Sequence, residues 1–158
     1  MERGASELEV VASFDSLLAA HRAFDELFAE HQEALLDRDI AVASRKLAAV
    51  DADIREHIAL EEDTLFPIYR RAGDILGGDV TFYQAEHRKM EQYLDRFRDM
   101  VAALRCGDAD AQAILRLLDE ETRFKHLMEH HDLRERNILY PVLDRVASAE
   151  ERRAILSR

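Results

Sequence analysis

Two segments of the chain repeat one frame of metal-ligating residue types. "HIALEEDTLFPIY" begins at His57 and "HDLRERNILYPVL" begins at His131; each reads His, three residues, Glu, five residues, Pro. Residues i and i+4 share a face of an α-helix, so His57 points with Glu61 and His131 with Glu135. A second short repeat precedes each segment: "AAHRAFDEL" around His21 and "AEHRKMEQY" around His87. All six residues fall on apolar stripes that should face a core. Burying a neutral polar group without a partner costs about 1–3 kcal/mol, and an ionised carboxylate costs more. A shared metal ion removes that penalty. Imidazole with carboxylate suits iron, manganese or zinc, and helical bundles hold pairs of metals with inward-facing Glu and His.

The elements that must carry these residues are helices. Apolar residues recur every three to four positions in four long stripes: Phe14 to Leu35, Leu47 to Ile68, Val80 to Leu104 and Ile114 to Val142. Breaks fall near Asp37–Asp39, at "GDILGGD" (73–79) and at "CGDAD" (106–110). Asp79 and either Asp108 or Asp110 are expected N-caps, and Gly73 and Gly107 expected C-caps. "SAEE" at 148–151 reads as a capping box for a short final helix. The fold expected is all-α: an antiparallel up-down-up-down four-helix bundle with a short C-terminal helix. It forms a single domain over 1–158, built from two related helix pairs, about 8–72 and 79–147. At a rise of about 1.5 Å per residue, His21 and His57 stand roughly 24 and 27 Å from their shared turn, and so at one level. His87 stands roughly 27 Å from its turn but His131 roughly 33–36 Å, which keeps His126 and His130 in play as alternatives.

Composition narrows the function class. A chain of 158 residues, 47% hydrophobic and 35% charged, suits a helical globular domain. The formal net charge of −11 argues against nucleic acid and anionic membrane as partners. Cys106 is the only cysteine and cannot form an internal disulfide. "MERGASELEVVASF" has no long apolar run of the signal-peptide kind, and no segment approaches a membrane span. The expected location is cytoplasmic.

The order His, His-x3-Glu, His, His-x3-Glu, with a Pro after each Glu, resembles the hemerythrin-like (HHE cation-binding) family across residues about 12–145. The resemblance implies a non-haem di-iron centre, two iron ions joined by an oxo or hydroxo group, with another divalent metal as the alternative. It assigns His21 and His57 to one iron, His87 and His131 to the other, and Glu61 and Glu135 as bridges. The pattern departs from the oxygen-carrying members, which have His-x3-His on the third helix and His-x4-Asp on the fourth. Here Glu91 stands where the fifth histidine would be, and Asp25 fills the matching slot after His21. Glu91, Asp25 and His130 are therefore additional candidate ligands. His131 is preferred to His130 because it copies the first half and lies on the stripe.

These departures point away from reversible oxygen carriage. They favour handling of small oxidants, peroxide, O2 or NO, with catalase-like peroxide decomposition as the enzymatic version. The rivals are an iron- or oxygen-sensing module read by a protein partner, oxygen storage, and a non-redox zinc site, in a monomer or dimer. Phe24, Leu65, Met90, Met128 and Leu139 are expected to line the site, and Tyr83 to offer it a hydroxyl. His31, His126 and Glu62 are expected at the surface. Pro67 and Pro141 are expected to kink or end their helices.

Overall fold

The computed structural model describes residues 12–107 and 109–157. The expected start of the first helix pair near residue 8, the leader-free reading of the first residues and Asp108 as a cap lie outside them. Among the described residues the chain is helical throughout, with no strand.

A 3₁₀ turn (Phe14–Leu17), capped by the Ser13 side chain, leads into α1 (Leu18–Leu36). Arg38 takes the left-handed conformation (φ 59°) to turn the chain, and the Asp39 carboxylate accepts from Val42 N–H to start α2 (Ile40–Leu60). α2 widens into one π turn (Glu61–Leu65) before α3 (Phe66–Tyr69) and a 3₁₀ turn that stops at Gly73 (φ 75°). Asp79 caps α4 (Val80–Cys106) through Thr81 N–H, and Asp110 caps α5 (Ala111–Arg134) through Ala113 N–H. α5 widens into a second π turn (Glu135–Leu139) before α6 (Tyr140–Val146). The Ser148/Glu151 capping box opens α7 (Ala149–Leu156), which packs on the Phe14 turn. In the bundle α1 packs on α2, α2 on α4, α4 on α5, and α5 back on α1. Among the described residues no helix is long and apolar enough to cross a membrane.

The π turns explain the repeated prolines, and of the two expected outcomes, a kink or an end, the helix does not end at either proline. A proline inside an α-helix removes a hydrogen bond and collides with the carbonyl four residues back. Here Phe66 N–H reaches back five residues to Glu61 O, and Tyr140 N–H to Glu135 O. Pro67 and Pro141 then sit in the first turn of the next α segment, where the missing N–H has no partner to lose. Each glutamate of the repeat is the residue at which its π turn begins.

The core is divided in two. One apolar cluster contains Phe28, Leu47, Val50, Ile54, Leu94, Phe97, Leu117 and Phe124. The other contains Phe14, Leu65, Phe66, Tyr69, Tyr83, Leu139, Tyr140 and Leu143. Along the four long helices and the two π turns, the histidines and glutamates of the repeat fall at the boundary where residues of one cluster give way to those of the other. The bundle interrupts its hydrophobic interior at a single level to house them.

Candidate metal centre

Six of the candidate residues meet at that level. His21, Glu61, His87, His131 and Glu135 are buried, and His57 is nearly so. Their donor atoms form two groups, one of His21, His57 and Glu135, the other of Glu61, His87, His131 and Glu135. His21 Nε2 lies 3.0 Å from His57 Nε2, and His87 Nε2 lies 3.3 Å from His131 Nε2. Each carboxylate spans both pairs. Glu61 sets Oε1 3.2 Å from His57 Nε2 and Oε2 3.0 Å from His87 Nε2. Glu135 sets Oε2 3.0 Å from His21 Nε2 and Oε1 2.7 Å from His131 Nε2. Tyr140 donates its hydroxyl to Glu135 Oε2 at 3.1 Å.

The four carboxylate–imidazole contacts are of hydrogen-bond length but not of hydrogen-bond geometry. Glu61 Oε1, Glu61 Oε2 and Glu135 Oε1 are buried without a hydrogen-bond partner. Three orphaned carboxylate oxygens in one core would be costly if nothing else met them. Two donors on one metal, with bonds of about 2.1 Å at right angles, stand roughly 3 Å apart. The observed spacings match that edge length, and the cluster can hold metal.

The outer side of the histidines fits the same use. His21 Nδ1 is 2.6 Å from Asp132 Oδ1, His87 Nδ1 is 2.8 Å from Glu62 Oε1, and His131 Nδ1 is 2.7 Å from Glu86 Oε2. A neutral imidazole that donates its Nδ1–H outward keeps the Nε2 lone pair for the interior. Each outer carboxylate is itself held by an arginine: Asp132 by Arg136, Glu62 by Arg88 and Glu86 by Arg134.

Without a cation, burial and the close charges shift the titration of these groups in opposite directions. Burial, and then the neighbouring charge of Glu61, push the Glu135 carboxyl well above its usual range. Burial opposes ionisation of Glu61, but contacts with His131, His57 and His87 hold it well below. Burial disfavours charge on His131, yet Glu135, Glu61 and Glu86 raise it well above an ordinary histidine. Burial and the proximity of His57 lower His21.

The structure leaves the three additional candidates out of the cluster. His130 is exposed beside His131. Glu91 pairs with Arg88 at 2.9 Å and stands 3.7 Å from Arg55 on the outer face. Asp25 is exposed, at the rim of a pocket of about 150 Å³ that reaches His21 and His131 between Leu18, Met128 and Asp132. The level of His131 resolves because α4 ends at Cys106 and α5 begins at Ala111, which puts His87 and His131 at nearly equal distances from the break.

Three expectations are corrected. Glu62 is not a solvated charge but the partner of His87. Tyr83 turns its hydroxyl to Arg134 O at 3.4 Å, away from the cluster, and the phenol beside the carboxylates is Tyr140. His31 is fully buried: its ring meets Ala43 O at 2.8 Å and the buried Glu121 at 2.7 Å, while Gln32 donates to the other Glu121 oxygen. Sequence reasoning missed Asp132, Glu86, Tyr140 and Glu121. The only signal was adjacency, since Glu62, Glu86 and Asp132 each neighbour a repeat residue. Comparison with protein-family models, with curated proteins and with solved structures finds no match for this chain.

Proposed function

We propose that the chain is a hemerythrin-like protein, an antiparallel up-down-up-down four-helix bundle that binds two metal ions and acts on small oxidants. His21 and His57 hold one ion, His87 and His131 the other, and Glu61 and Glu135 bridge them. One observation carries the reading: both buried carboxylates place one oxygen against each histidine pair, with three of those four oxygens otherwise orphaned. Iron is the favoured metal, since neutral imidazole and carboxylate suit it and it cycles between two oxidation states.

A redox-active pair of ions supplies electron transfer to a small molecule such as peroxide, O2 or NO. The chain's own residues set the conditions. Leu65, Met90 and Leu139, all buried, keep bulk water from the ions. The pocket beside His21 and His131, about 150 Å³ in volume, suits a ligand of a few atoms rather than a metabolite. Tyr140, hydrogen-bonded to Glu135, holds that carboxylate in its spanning orientation.

The test is addition of peroxide to the iron-loaded protein. Sustained oxygen evolution is the expected result, and its absence from protein holding two irons per chain would exclude peroxide turnover. A second reading, a metal sensor without turnover, is favoured by the orphaned carboxylate oxygens, which tie the stability of the fold to occupancy.

A further inference from the structure

Resting on the two-metal reading, we propose that the two halves are unequal: the ion between His87 and His131 is held tightly and the ion between His21 and His57 loosely, because the ring of outer carboxylates is open at Ala20.

The ring passes from helix to helix. Glu62, after α2, holds His87 on α4; Glu86 on α4 holds His131 on α5; Asp132 on α5 holds His21 on α1. The fourth link would run from α1 to His57 on α2. Among the described residues nothing in the protein is hydrogen-bonded to His57 Nδ1. The internal repeat says which position would supply the link. "AAHR" aligns with "AEHR", so Ala20 stands where Glu86 stands, one residue before the histidine. Ala20 and His57 line the same open groove of about 730 Å³.

Two further differences act in the same direction. His87 and His131 are more deeply buried than His21, so the Coulombic hold on a cation is less screened there. Glu135 Oε2, the oxygen facing His21, also accepts the Tyr140 hydroxyl, whereas the structure gives Glu61 no such donor. A hydrogen bond to a ligating oxygen draws electron density away from the metal. Losing an outer partner typically weakens metal affinity by about 10–100-fold, which sets the expected gap between the two halves.

The experiment is titration of the metal-free full-length protein with cobalt(II), the ions per chain counted by native mass spectrometry and their environment followed by visible absorption. Two steps separated by about tenfold or more are expected. Ala20→Glu should tighten the second step by about 10–100-fold and leave the first unchanged. Ala20→Gln should recover part of that gain. His57→Ala should keep one tight ion, and His87→Ala should lose it; this pair reads the same asymmetry without adding bulk at residue 20. Two equal steps in the unsubstituted protein, or a tight ion that survives in His87→Ala and is lost in His57→Ala, would overturn the proposal while leaving the two-metal reading intact. Failure to bind cobalt at all would overturn both.

Discussion

At the scale of single residues, the proposed two-metal centre depends on two glutamates that each reach both histidine pairs. Replacing Glu61 or Glu135 with Ala removes one oxygen from each histidine pair. Either variant is expected to lose the two-metal site, with metal content falling to one ion per chain or fewer. Two ions retained in both variants would contradict the bridging assignment. A proton balance follows from the same residues. In the metal-free protein burial and the charge of Glu61 raise Glu135, and the surrounding carboxylates raise His131. Groups raised in this way hold their protons to higher pH than free side chains do and must shed them to ligate, so metal binding should release protons and weaken as pH falls. Calorimetry in buffers of different ionisation enthalpy measures the release; a binding heat independent of buffer would contradict it. Glu91 pairs with arginine outside the cluster, so Glu91→His should leave the metal spectrum unchanged.

At the scale of the elements, the π turns and the buried His31–Glu121 pair do separate work. The π turns let a proline follow each glutamate without breaking the helix. Deleting the exposed Asn137 would return the second turn to α geometry and leave the residues after it on nearly the same faces, because five residues of a π turn sweep about the same arc as four of an α-helix. Pro141 would then collide with the carbonyl four residues back, and a fall in melting temperature is expected with Leu139, Tyr140 and Leu143 still in the core. An unchanged melting temperature would show that the turn is dispensable. Glu121 joins α5 to His31 and Gln32 on α1, and His31 in turn meets Ala43 O on α2. Glu121→Ala leaves those buried polar groups unpaired and should cost about 3–5 kcal/mol, with the metal stoichiometry of the folded protein unchanged.

Much of this was legible in the sequence, and what was not shares one cause. The stripes carry His21, His57, Glu61, His87, His131 and Glu135 because a 3.6-residue period assigns each to an inward face. The breaks at 37–39 and 73–79 show because Asp and Gly have local reasons to be there. A helical wheel, however, treats each helix alone. Glu62, Glu86 and Asp132 lie about 100° round from their neighbours and look solvated until the adjacent helix is placed beside them. His31, by contrast, falls on the stripe of α1, three residues after Phe28 and four before Leu35, so its burial was legible in the period and the surface expectation misread it. The π turns are invisible to a fixed period, although the matched prolines marked where they fall.

At the scale of the whole molecule, the fold gives up a continuous core for a polar layer between two apolar clusters. Such a layer is stable only when something satisfies it, so occupancy and folding are linked. Removing the metal should lower the melting temperature, and restoring it should raise the value with metal concentration. At a free concentration of 100 times the dissociation constant, one site contributes about 2.7 kcal/mol. A melting curve indifferent to chelator would mean that the buried carboxylates are satisfied without a cation. The most direct test of the central claim is the metal content of the purified chain, read with its visible spectrum. Two ions of iron per chain with charge-transfer absorption, reduced together in the Glu61→Ala and Glu135→Ala variants, is the result expected. A chain that takes up no more than one ion under iron-replete conditions, or whose ions are indifferent to both glutamates, would contradict it.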